Sequence, residues 1–148
     1  MIPALIPPGQ NKSHTAFGDQ ATFLLTGEHT GGAYTMFEYV TAPGGGPPPH
    51  RHDAEDEWFL VLEGQAEFLV DGVWTSAGPG TAAFMPRGSV HSFRNPGDIP
   101  LKLLIHTAPA GFEIFFAKCA DEFAKEGGPE MEKIFAIAAE HGIAFVAP

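Results

Sequence analysis

The sequence predicts an all-β fold, a sandwich or barrel, followed by two α-helices. Short runs rich in β-branched and aromatic residues recur between tight-turn signals through the middle of the chain. Many short strands with such punctuation imply two packed sheets or one closed sheet. Beyond residue 110 the apolar residues change from alternation to helical spacing. Residues 1–110 are therefore expected to form the barrel with an N-terminal arm. Residues 111–148 are expected to form a helical tail packed on it, within the same domain.

In chain order, the Pro- and Gly-rich lead-in through Gly9 reads as an extended arm. Thr22–Leu25 and Tyr34–Val40 are strand candidates, with Gly27 to Gly32 as a loop between them. The segment Pro43 to Pro49 cannot be helical, because its prolines remove donors and restrict φ. Glu63-Gly64 separates the strand Glu57–Leu62 from Ala66–Val70. Asp71-Gly72 separates that strand from Val73–Thr75, and Asp-Gly between apolar runs predicts a type I′ hairpin. Gly78-Pro79-Gly80 turns the chain into Thr81–Met85. Val90–Phe93 and Leu101–Thr107 complete the set, with a loop at Asn95-Pro96-Gly97-Asp98.

In the tail, Phe112, Phe116, Cys119 and Phe123 lie on one helical face, and Gly127-Gly128 ends that helix. Pro129 suits the first position of a second helix, with Glu130 and Glu132 in its acidic first turn. Ile134, Ile137, Ala138 and His141 form its apolar face, and Gly142 its cap. Both stripes need cover. The barrel itself is the simplest; a subunit interface or a lid over the pocket is the alternative.

At 148 residues the chain is one domain with room for a core without disulfides. The single Cys119 can form no internal bridge, which favours a reducing compartment. The apolar start, Met1 to Pro8, is short, broken by prolines and lacks a basic leader, so it reads as neither signal peptide nor membrane span. A cytoplasmic location is expected. A net charge of -10 with scattered basic residues argues against nucleic acid and anionic membranes as partners.

The chemistry concentrates in two stretches, Gly44 to Gly64 and Gly80 to Asn95. On a strand, His50 and His52 point the same way and can hold one ion between them. Glu57 lies an odd number of residues further on, so the polar run Asp53 to Asp56 must turn the chain before Glu57 can join them. Glu57, Phe59 and Val61 then share one face, and Trp58, Leu60 and Leu62 the other. His91 sits with Phe93 on a later strand. Three imidazoles and one carboxylate suit a divalent transition metal (Fe, Mn, Ni, Co, Cu or Zn) and leave positions open on an ion that prefers five or six ligands. A lone histidine is more often a surface or core residue; here the whole set carries the argument.

This pattern resembles the cupin family. Gly44, His50, His52, Glu57 and Gly64 match each position of its first motif, and Gly80, Pro86, Gly88, His91 and Asn95 each position of its second. The resemblance covers about a third of the chain, residues 44 to 95. It implies a double-stranded β-helix (jelly-roll) barrel with the metal inside, His50, His52, Glu57 and His91 as its ligands, and a homodimer. Asp56 has an allowed spacing as well, but only Glu57 has the right residue type with six residues between it and Gly64. The run Gly45 to His52, the run Asp56 to Gly64, Thr107 to Glu113 and the end near His141-Gly142-Ile143 are similar to small quercetin-dioxygenase-type cupins. That similarity implies a dioxygenase acting on an aromatic, flavonol-like small molecule, with Glu57 also the catalytic base. A metal-dependent isomerase or lyase, and a sensor that binds without turnover, use the same ligands.

Phe59, Val61, Phe68 and Phe93 are the expected pocket walls, too apolar for a sugar, whose hydroxyls would each lose about 1–3 kcal/mol if buried unpaired. The apolar lead-in Ile2 to Ile6 could add to a neighbour's sheet edge in the dimer. His14, His29, His106 and His141 are read as non-ligands. Arg87 and Arg94 flank His91 as substrate anchors or, more commonly, as solvent-facing charges.

Overall fold

The computed structural model describes residues 1–146. Two antiparallel sheets face each other. The first runs β1 (Lys12–Ala16), β2 (Asp19–Leu25), β3 (Thr35–Thr41), β10 (Leu101–Ala108), β5 (Asp56–Glu63) and β8 (Ala82–Met85). The second runs β11 (Ile143–Phe145), β4 (His50–His52), β9 (Val90–Arg94), β6 (Ala66–Val70) and β7 (Val73–Ala77). Strands distant in sequence lie side by side, β3 against β10 and β4 against β9, which gives the expected jelly-roll barrel.

Strict alternation builds the barrel wall. Along β10, Leu101, Leu103, Ile105 and Thr107 are buried inside, while Lys102, Leu104 and His106 are half-buried outside. Thr35, Phe37, Tyr39 and Thr41 of β3 and Glu57, Phe59 and Val61 of β5 follow the same rule. Each large apolar side chain buried this way contributes about 1.5–3 kcal/mol. His106 is outside the barrel, stacked on Trp58 with ring centroids 5.1 Å apart.

The turns are where the chain needs special backbone. Asp71 (φ 49°) and Gly72 (φ 76°) both take the left-handed conformation that the predicted hairpin requires. Gly64 (φ 84°) must also lack a side chain: a Cβ there would lie 2.7 Å from the carbonyl oxygen of Pro100. Asn95, from the second motif, is buried and structural. Its Nδ2 donates to the carbonyls of Thr41 (3.1 Å) and Ile99 (2.8 Å), and its Oδ1 accepts from the amide of Gly97 (2.9 Å).

The helices are α1 (Gly27–Thr30), α2 (Phe112–Phe123) and α3 (Met131–Glu140). On α2, Phe115, Phe116, Cys119 and Ala120 are buried; on α3, Ile134 and Ala138 are. Several expectations are corrected. The loop Gly27 to Gly32 contains one helical turn, α1, closed by Gly31 at φ 65°. Pro129 is not the first helical residue: α3 is capped by Glu130, whose carbonyl accepts from Lys133 (3.0 Å) and Ile134 (3.2 Å). The lead-in continues into a strand, β1, and the tail is not purely helical, because after Gly142 it adds β11 to the barrel beside β4. Residues 147 and 148 of the expected tail lie outside the described residues. Among the described residues, no helix is long and apolar enough to cross a membrane.

Candidate metal centre

β4 carries His50 and His52 on its inner face, and its neighbour β9 places His91 directly opposite His50 in register. The turn Asp53 to Glu55 returns the chain so that Glu57, near the start of β5, faces the same space. All four side chains are buried, and one potential ligand atom from each lies within 4.8 Å of those of the others. This group could hold a metal ion.

The rings are fixed from behind. Nδ1 of His50 faces the carbonyl oxygen of Pro48 at 2.8 Å, and Nδ1 of His91 that of Ser89 at 3.1 Å. Nδ1 of His52 instead faces the Glu55 carboxylate at 2.7 Å. An acceptor at each Nδ1 favours the tautomer protonated there, which leaves Nε2 able to bind a metal once it carries no proton. Glu57 Oε1 lies 2.8 Å from His91 Nε2 and 3.6 Å from His52 Nε2. His52 Nε2 is fully buried and makes no hydrogen bond among the described residues. A buried polar atom without a partner is costly. One ion among the four donors would satisfy it, so the residues fit a borderline divalent metal.

Electrostatics keep most of the donors ready. Burial, reinforced by the neighbouring His52 and His91, pulls His50 down to about 3, so it is neutral at ordinary pH. Burial pushes Glu57 up, but the charges of the histidines and the His91 hydrogen bond outweigh it and hold it at about 2. Burial would lower His52, yet the Glu57 and Glu55 carboxylates prevail and raise it. Glu55 itself is raised by burial, against the pull of His52.

The group opens on a small cavity of about 40 Å³, lined by Phe17, Phe37, Tyr39, Phe93, Phe112, Phe115, Phe116 and Phe145 among others, with His50, His52 and Glu57 as its polar floor. Of the expected pocket walls only Phe93 is there. Phe59 and Phe68 pack against each other (ring centroids 5.3 Å apart), with Phe59 6.2 Å from His91, and Val61 is buried further along β5. Phe59, Val61 and Phe68 are buried in the barrel core and do not line this cavity. The tail supplies much of the lining, through α2 and β11. Glu55 was hidden in a polar run read only as a turn; its one signal is an acidic residue three positions after His52. Arg87 pairs with Asp56 and Arg94 with Glu67, both at the surface. His14, His29 and His141 lie on β1, on α1 and at the end of α3.

The cupin domain family model matches residues 37–107, a stretch that holds all four donors. The chain belongs to the cupin family. Among its relatives, this cupin is similar to quercetin 2,3-dioxygenase of Bacillus subtilis, 35% identical over 97 residues, 63% of this chain and 28% of the relative. It is 30% identical over 106 residues to protein SchB of Streptomyces halstedii, 70% of this chain and 72% of that one. The solved structure of the polyketide cyclase RemF from Streptomyces resistomycificus shares the fold, with a TM-score of 0.63 at 23% identity, covering 72% of this chain and 80% of that one. This cupin spans less than half the length of several curated relatives: 47%, 16% and 28% of three of them.

Proposed function

We propose that this cupin binds one divalent transition metal through His50, His52, Glu57 and His91 and is an oxygenase acting on a flat, aromatic, chelating substrate of the flavonol type. The observation that carries the reading is the composition of the cavity: a floor of His50, His52 and Glu57, three of the four donors, under walls that are mostly aromatic. The similarity to a quercetin 2,3-dioxygenase supports the same substrate class. A bound divalent ion would supply a Lewis-acidic centre with open positions, where a substrate hydroxyl ionises more easily and dioxygen can reach it. Glu57 is the carboxylate at that centre and is ionised, the form that both a metal ligand and a base for the hydroxyl proton require. The phenylalanine rings stack on the substrate and exclude water. Tyr39 offers its ring, since its hydroxyl is engaged by Asp19 at 2.8 Å.

A ligand pocket usually measures about 300 Å³ or more. The present cavity of about 40 Å³ is far smaller, so entry of a flavonol requires Phe112, Phe115 or Phe145 of the tail to swing aside. The test is oxygen uptake by Fe, Mn, Ni and Co forms with quercetin, against an anaerobic control. Oxygen-dependent turnover is expected, with Glu57→Gln retaining metal but losing turnover. Turnover that continues without oxygen would move the protein to the isomerase or lyase class, and tight binding without turnover would make it a sensor.

The partner in solution is a second copy of the chain. Met1, Ile2 and Leu5 are 95%, 85% and 91% exposed and lead into the edge strand β1, an arrangement suited to adding the arm to a neighbour's sheet. Light scattering is expected to give about twice 15.8 kDa, and a 15.8 kDa particle at micromolar concentration would rule the dimer out. The lone Cys119, buried on α2, suits the reducing cytoplasm.

A further inference from the structure

His52 differs from the other two histidines in what stands behind it. His50 and His91 are held by backbone carbonyls, which would be present whatever side chains the sequence carried. His52 is held by a side chain, the carboxylate of Glu55, at 2.7 Å. Glu55 is only 7% exposed. Among the described residues it makes no ion pair with lysine or arginine, and the nearby guanidinium groups of Arg51 and Arg87 are engaged by Asp53 and Asp56. A buried carboxylate without a cation is costly. Among the described residues its only hydrogen-bond partner is the ring whose other nitrogen, Nε2, is buried without one.

The backbone takes trouble to keep Glu55 there. The amide of Asp53 donates to the carbonyl of Gly142 at 2.7 Å, so the start of the turn is tied to the end of α3. The amide of Gly88 donates to the carbonyl of His52, also at 2.7 Å. Gly142 stands so close that a Cβ on it would lie 3.2 Å from the Cβ of Ala54. The turn carrying Glu55 is thus clamped by two distant parts of the chain.

We infer that Glu55 is a positioning residue for the metal centre: it aims His52 Nε2 at the other donors and supplies the second buried negative charge that balances a divalent ion. The inference rests on the reading that the four donors hold a metal. With three neutral imidazoles, Glu57 alone would leave a divalent ion in the barrel with a net positive charge. Glu57 and Glu55 together bring the centre to neutrality, which matters most where water is excluded. A carboxylate behind a ligand imidazole also makes its far nitrogen a stronger donor.

The experiment measures the affinity for Co(II) by competition with a chelator in the wild type and in Glu55→Gln, Glu55→Ala and Glu55→Asp, alongside thermal melts of the ion-free proteins. Glu55→Ala, which loses both aim and charge, is expected to bind about 10–100-fold more weakly. Glu55→Gln, which can still accept from Nδ1, should fall between it and the wild type, and Glu55→Asp should recover part of the loss. A second readout needs no variant: nitrogen NMR of the Zn(II)-loaded wild type should show His52 protonated at Nδ1, in a stronger hydrogen bond than His50 or His91. Variants that bind Co(II) within about threefold of a wild type that takes one ion would overturn the role of Glu55 alone, since that is well below the effect of such a partner. His52 found protonated at Nε2 in the Zn(II) form would overturn it as well. A wild type that takes up neither ion would remove the metal reading itself, and this inference with it.

Discussion

The His50→Ala, His52→Ala double variant is expected to carry no metal ion, against one per chain in the wild type. Both imidazoles sit on one three-residue strand, β4, so the change removes half of the four-donor group at once. What remains is Glu57 on β5 and His91 on β9, in sheets that face each other across the barrel. Two donors without a third rarely hold a borderline divalent ion against water and buffer. The pH dependence of the wild type should report the same group. Glu57, held at about 2, and His50, held at about 3, offer their metal-binding forms throughout the neutral range. His52 is a donor that a proton can block: although burial opposes it, Glu57 and Glu55 raise its pKa. Binding must displace that proton, so affinity should fall by up to about tenfold per pH unit on acidification below the raised pKa. In the ion-free protein the linkage has two signs. The raised His52 contributes stability that is present below 6.5 and is lost as pH rises through its folded pKa, whereas the depressed His50 costs stability as pH falls from 6.5 towards about 3. Elemental analysis and a pH series of metal titrations check both parts. Full occupancy in the double variant would refute the ligand assignment.

The strand that carries two of the four candidate donors was legible because its signal is local. Two histidines separated by one residue share a face of any strand, and the turn needed to bring Glu57 round lies where the structure has it, at Asp53 to Glu55. The hairpin at Asp71-Gly72 was legible for the same reason, since positive φ at both positions is a demand that few residue pairs meet. Alternation along β5 and β10 gave the correct inner faces. It could not give depth. Phe59, Val61 and Phe93 all point into the barrel, but a barrel is filled in layers along its axis, and only Phe93 reaches the layer beside the cavity. Sequence also could not show what closes that layer, because Phe112, Phe115, Ile143 and Phe145 arrive there from a tail far along the chain. β1 left no trace, since Lys12 to Ala16 is an exposed, polar edge strand with little apolar alternation. β11 is three residues long and is held as a strand by β4 rather than by its own propensity. The contact of Glu55 with His52 was invisible because nothing in a polar run announces which of its carboxylates is turned inward.

The Phe116→Asp variant is expected to lose most of the stability of the fold. Phe116 is 1% exposed and meets the rings of Phe17, Phe23, Tyr39 and Phe112, so it joins α2 to the barrel at the cavity wall. Truncating such a ring costs about 3–5 kcal/mol on its own. The aspartate adds a charge among aromatic rings, and burying it costs several kcal/mol more unless it is protonated, paired or pulled out to water. Against a total of about 5–15 kcal/mol for a domain, the sum leaves little or nothing. A Phe116→Leu variant keeps most of the apolar contact and should melt only a few degrees below the wild type, since 1 kcal/mol is worth roughly 2–4 °C in a chain of this size. The comparison also distinguishes how the tail serves the cavity. If α2 is part of the core and only the ring ends at Phe112, Phe115 and Phe145 move, the aspartate variant should unfold or melt far below the leucine one. If α2 lifts away as a lid at little cost, the aspartate can follow it into solvent, and both variants should melt near the wild type. Thermal melts of the three proteins decide between them, and the burial of Phe115, Phe116 and Cys119 along one face of α2 predicts the first outcome.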